Sequence, residues 1–69
     1  MREDVITLEN IMRREVETRG KPTTLYERNA MQISIFRKIS AVYGLPLTVD
    51  RIEYWGTIFA RIVPHSIDN

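Results

Sequence analysis

Residues 24–46 read TLYERNAMQISIFRKISAVYGLP, and how this stretch folds decides the rest of the chain. Thr24 with Glu27 three residues on has the form of a capping box, in which the hydroxyl accepts an unpaired N–H of the first helical turn and the carboxylate reaches back. At the other end, Tyr43-Gly44-Leu45-Pro46 puts Gly where a helix C-terminus takes positive φ, followed by a Pro that cannot continue the helix. The spacing predicts a helix over 25–43. Placed at 100° per residue, Met31, Ile35, Phe36, Ile39, Val42 and Tyr43 form one apolar arc. Tyr26, Ala30, Ile33 and Ala41 form a second arc, and only Glu27, Ser34 and Lys38 keep a narrow polar strip. A helix apolar on two sides is either central in its own bundle or partly covered by another chain.

The same stretch admits a competing reading. Met31 to Ile35 alternates with period two, as does Ile58 to Val63, and both are rich in the β-branched residues that favour strands. An α+β fold with one helix and a small antiparallel sheet is the alternative. The capping signals and the length of the middle segment favour the helix.

Working outward, Arg19-Gly20-Lys21-Pro22 repeats the Gly-then-Pro stop and predicts a first helix over 4–19. Its apolar stripe is Val5, Leu8, Ile11, Met12 and Val16, and Glu9–Arg13, Arg13–Glu17 and Glu15–Arg19 stand at the i,i+4 spacing of an exposed face. Toward the C-terminus, Asp50 with Glu53 repeats the capping-box form, flanked by Val49 and Tyr54 at hydrophobic-staple spacing. A third helix over 50–63 would bury Ile52, Trp55, Ile58, Phe59, Ile62 and Val63. Gly56 and Ala60 lie one turn apart on its flank. Either a neighbouring helix passes close over them, or Gly56 is a weak spot costing about 1 kcal/mol against Ala. The expected fold is therefore an all-α, three-helix single domain over residues 1–69.

Composition narrows the function. A chain of 69 residues hides only about 60% of the surface exposed by its unfolded form, so its core is thin. With no Cys and one His, disulfides and thiolate zinc are excluded and a His-built metal site has almost nothing to use. Oligomerisation remains as a stabilising device, with a dimer favoured. The N-terminus shows no secretory signal, and the longest mostly apolar stretch, 39–49, is too short to span a bilayer. The expected location is cytoplasmic, with no membrane contact. No Gly-rich phosphate loop, nucleophile elbow or paired metal-ligand spacing is present, and Ser66, His65 and Asp68 adjoin one another in a tail rather than converging from rigid elements. No enzymatic activity and no cofactor are expected.

The net charge is +1, but residues 21–45 carry Lys21, Arg28, Arg37 and Lys38 against Glu27 alone. Eight of the ten basic residues are Arg, the side chain suited to bidentate contact with carboxylate or phosphate. Three readings follow. The first is a small regulator or inhibitor that works by protein–protein contact as a homo-oligomer, through Tyr26, Arg28, Ile33, Arg37 and Lys38. The second is a DNA-binding regulator with a helix-turn-helix-like motif around 37–55, using Arg37, Lys38, Arg51 and Arg61 on one surface. There, Thr48 to Ile52 would open a recognition helix. Against it, the turn is one residue short, and Asp50 and Glu53 would face the phosphates. The third is an oligomeric binder of a small anionic ligand built from the same Arg residues. The aromatic group Tyr54, Trp55 and Phe59 could stack on bases, but at this spacing on an apolar stripe it reads as core.

Overall fold

A computed structural model describes residues 4–65, and these form three α-helices with no strand among them: α1 (Val5–Arg19), α2 (Leu25–Tyr43) and α3 (Val49–Ile62). The sheet-containing alternative is not what forms. The reason is visible at the helix ends, where every signal that would have to be overridden by a strand is satisfied locally. The Thr24 hydroxyl accepts the Glu27 N–H at 3.0 Å. The Glu27 carboxylate takes the Thr23 N–H at 2.9 Å and the Thr23 hydroxyl at 2.8 Å, so the box closes on the residue before the cap as well. Gly20 and Gly44 both stand at positive φ, 84° and 66°. After Gly44, the Leu45 N–H donates to the Ser40 carbonyl at 3.0 Å, the return bond of a Schellman-type stop.

One cap adds to the sequence expectation and one differs from it. Helix α1 is capped by Asp4, whose carboxylate accepts the Thr7 N–H at 3.0 Å. Helix α3 begins at Val49, one residue earlier than expected, because Thr48 rather than Asp50 is its N-cap and accepts the Arg51 N–H at 3.1 Å. A hydroxyl can cap as well as a carboxylate can. Asp50 then falls inside the first turn, where its charge complements the helix dipole without capping. With the cap at Thr48, the staple positions become Leu47 and Ile52 in place of Val49 and Tyr54. Val49 is indeed among the most exposed apolar side chains.

The core is one cluster fed by all three helices: Leu8, Met12 and Val16 from α1, Ile35, Phe36 and Ile39 from α2, and Trp55, Ile58 and Phe59 from α3, closed by Val63. Phe36 sits edge-on to Trp55, with ring centroids 5.5 Å apart, and to Phe59 at 6.1 Å, the T-shaped arrangement that ring quadrupoles favour. Trp55 and Phe59 are therefore core, with no face left for stacking on a base. Around the core, exposed ends of each predicted stripe spill onto the surface, notably Val5, Val42, Tyr43 and Ile52.

No helix passes close over Gly56. A Cβ built there meets only Gln32 Nε2 at 3.8 Å, an ordinary contact. Its backbone is also outside the positive-φ region, so Gly56 is the weak spot of the two readings. Gly56→Ala is expected to stabilise the fold by about 1 kcal/mol and to raise the melting temperature by roughly 4–8 °C in a domain of this size. A thermal melt followed by circular dichroism reads this directly; a lower melting temperature would mean that the site is tighter than its geometry shows.

Glu15 ties two helices together. Its carboxylate receives Lys38 Nζ of α2 at 2.9 Å and also pairs with Arg19. The Lys38 hydrogen bond, then that of Arg19, holds the Glu15 carboxyl below the ordinary glutamate range. The Thr23 N–H and hydroxyl do the same for Glu27. A carboxylate whose folded pKa is depressed contributes stability that is fully present above its unfolded value, about 4.3, and is lost as pH falls through the folded value. The urea midpoint should accordingly fall once pH drops below that range. Glu15→Gln should lower the midpoint at neutral pH and make the acid limb shallower. Superimposable limbs for the two proteins would refute the assignment.

Candidate protein-binding face

Helix α2 has its core side at Arg28, Ile35 and Ile39, and the opposite side carries Tyr26, Ala30, Ile33 and Arg37 at the 4-3-4 spacing of one helical stripe. All four are exposed. Tyr26 keeps 76% of its surface and Ile33 54%, large values for side chains of this kind. Packing within one chain gives this stripe nothing to lie against, because α1 and α3 both occupy the other side of α2.

The stripe borders a groove of about 320 Å³ lined by Gln32, Ile33, Phe36, Arg37, Leu47 and Ile52. Its far wall is the connection between α2 and α3, and this connection is pinned. The Ser40 hydroxyl donates to the Leu45 carbonyl, Arg51 Nη1 donates to the Pro46 carbonyl at 2.6 Å, and the Thr48 N–H donates to the same carbonyl at 3.0 Å. The Thr48 cap and these bonds thus hold the short connection that forms the wall, with Leu47 and Ile52 lining it. Leu47 and Ile52 were missed as surface residues in the sequence because the cap was placed at Asp50. The signal was Thr48 itself, with apolar residues on either side at N′ and N4 spacing.

The basic residues separate into distinct roles. Arg28 is 1% exposed and is withdrawn from the surface patch to which the sequence assigned it. Its Nε donates to the Val63 carbonyl at 2.9 Å, and its Nη1 donates to Gln32 Oε1 at 3.0 Å and Asn29 Oδ1 at 3.3 Å. The guanidinium carbon lies 5.1 Å from the centroid of the Phe59 ring, within cation–π range. Burial pushes its pKa below the ordinary arginine value, but an arginine remains charged at any pH where proteins fold. It serves the fold, by holding the C-terminus of α3 against α2. Lys38 is ion-paired with Glu15 on one flank of α1, and Arg61 with Glu9 at 3.6 Å on the other. Arg51 is bent onto the connection wall. Arg37, at the lip of the groove, has no ion-pair partner among the described residues. Of the four cations expected of a DNA-reading surface, Lys38 and Arg61 are thus ion-paired on opposite flanks of α1, and Arg51 donates to a backbone carbonyl of the connection.

A second concavity of about 350 Å³ lies between the C-terminal ends of α1 and α3, floored by Val16 and Val63 and rimmed by Glu17 and Lys21. Its floor is formed by core residues and its rim carries Arg13, Glu17 and Lys21, so charges of both signs border its apolar lining. Among the described residues, no group of three or more His, Cys, Asp or Glu side chains is placed to hold a metal ion. Among them, too, no helix is long and apolar enough to cross a membrane. The tail residues Ser66 and Asp68 lie outside the described residues.

Comparison with protein-family models, with curated proteins and with solved structures finds no match to this chain.

Proposed function

We propose that the chain is a non-enzymatic binding protein, a small regulator or inhibitor whose working surface is the outer stripe of α2 together with the groove beside it, and whose partner is another protein chain. The observation that supports this reading is the exposure of Tyr26 and Ile33 on the side of α2 opposite its core, beside an apolar groove with a pinned wall. Contiguous apolar surface with a polar rim is where proteins meet. A preformed groove also lowers the ordering cost of binding. An amphipathic helix laid along α2 would place apolar side chains over Ile33, Leu47 and Ile52, the helix-in-groove mode, with Arg37 at the rim for a carboxylate or a ring. Tyr and Arg are the residue types that most often dominate such contacts.

Selection of a displayed library of helical peptides on the wild-type protein tests this reading. The expected binders are amphipathic and lose affinity when Ile33→Asp or Leu47→Asp replaces the wild type as target. Binders indifferent to both substitutions, or none at all from a protein that is itself monomeric, would overturn it.

The reading also carries an expectation about nucleic acid. Phosphate binding weakens with salt by a log–log slope of about −0.9 per neutralised contact. Of the described cations of residues 21–45, Lys38 is ion-paired and Arg28 is buried in hydrogen bonds, which leaves Arg37 and Lys21 for such contacts. Duplex DNA titrated at about 0.15 M ionic strength should therefore give no sequence-specific complex. A complex tighter than about 10⁻⁷ M would put the helix-turn-helix reading in its place. The anionic-ligand reading needs Arg37, Arg51 and Arg61 to converge at a subunit interface, and Arg51 already donates to a carbonyl within the chain.

A further inference from the structure

We infer that the partner of this face is a second copy of the same chain, with the two α2 helices packed antiparallel about a two-fold axis that passes between Ala30 and Ile33. The inference rests on the reading of the α2 stripe as a protein-binding surface and names its occupant. The stripe is self-complementary in one direction only. Run against itself about that axis, the series Tyr26, Ala30, Ile33, Arg37 sets Ile33 over the partner's Ala30 and Arg37 over the partner's Tyr26, and each contact occurs twice, as an isologous interface requires.

Each half of that pairing has a physical reason. Ala30 is a small residue at the centre of the stripe, and a large side chain facing a small one lets two helix axes approach to the 8–10 Å of ordinary helix packing. Arg37 is exposed and has no ion pair among the described residues, while Tyr26 is 76% exposed. A guanidinium over a tyrosine face is an attractive contact in its own right. A parallel alignment would bring Arg37 against the partner's Arg37, a like-charge contact that opposes it. The groove widens the contact on one side, since Ile33 belongs to both the stripe and the groove and Leu47 and Ile52 stand next to it. A standard stable interface removes about 800 Å² per partner, about a sixth of the 4803 Å² that this chain exposes. Covering such a face also supplies apolar burial that a core of ten buried apolar residues lacks.

Sedimentation equilibrium of the full chain, with paired substitutions, decides it. Wild-type protein should sediment as a dimer at micromolar concentration, and Ile33→Asp should sediment as a monomer with unchanged helical circular dichroism, since Ile33 is exposed. Tyr26→Arg sets one guanidinium against another across the interface, and Arg37→Glu sets a carboxylate over a ring face; each alone should weaken the dimer at least tenfold. An equimolar mixture of these two variants places the introduced carboxylate of one chain over the introduced guanidinium of the other, and it keeps the natural Tyr26–Arg37 contact on the second side. The mixture should recover the dimer as a one-to-one heterodimer. A wild-type monomer at all concentrations would overturn the second-copy assignment, while the peptide selection separately decides whether the face binds protein at all. A dimer indifferent to Ile33→Asp, or a mixture that stays monomeric, would overturn the antiparallel pairing.

Discussion

Arg28→Ala is expected to lower the stability of this protein by about 3 kcal/mol or more, since hydrogen bonds to a charged group contribute about 1.5–3 kcal/mol and the lost side chain leaves a cavity besides. At about 0.05–0.15 kcal/mol per residue, a chain of this length has roughly 3–10 kcal/mol in all, so the substitution removes a third or more of the total. The effect is concentrated at one joint. The last carbonyls of a helix have no partner within it, and Arg28 satisfies that of Val63, the C-cap of α3, from across the bundle. Removing the guanidinium orphans a buried carbonyl and releases Gln32 and Asn29 as well. Arg28→Met separates the contributions, because it retains much of the volume and none of the donors. Urea unfolding should place Arg28→Met between wild type and Arg28→Ala. If Arg28→Met matched wild type, the hydrogen bonds would be shown to contribute nothing and the joint to be held by packing alone.

Trp55→Ala should be at least as damaging. Trp55 is fully buried, meets Phe36 edge to face and stands where the three helices come together. Truncating a buried aromatic to Ala costs about 3–5 kcal/mol, and this core has ten buried apolar residues among those described over which to relax. The expected product keeps part of its far-ultraviolet helical signal and loses cooperative unfolding. Trp55→Phe, which keeps an aromatic edge toward Phe36, should cost less and retain a single transition. A cooperative melt for Trp55→Ala within a few degrees of wild type would show that the core closes around the gap.

The contrast between these two residues says how much was legible from the residues alone. Trp55, Phe59, Leu8, Met12 and Ile35 lie on stripes with helical period, and periodicity against a thin polar face leaves them one direction in which to go. Three helices, their order, and the stops at Gly20 and Gly44 follow from local chemistry: a hydroxyl or carboxylate three residues before an N–H, a glycine at positive φ, a proline beyond it. Local rules erred only where two candidates competed within a few residues, as Thr48 and Asp50 did. That small shift moved the staple to Leu47 and Ile52 and hid half of the groove.

Arg28 shows the other limit. By type and by neighbours it belongs with Arg37 and Lys38 in a basic surface patch. What buries it is a carbonyl 35 residues away, at the end of another helix, and no spacing within α2 encodes that. The same holds for Lys38 and Arg61, whose carboxylate partners on α1 become neighbours only when the bundle closes. Helix identity is thus determined by the chain itself, because hydrogen bonds and caps act over three or four residues. Which cations reach solvent, and which apolar stripe of α2 is left outside, were decided by tertiary structure, because both depend on how three helices divide the surface of α2 among themselves.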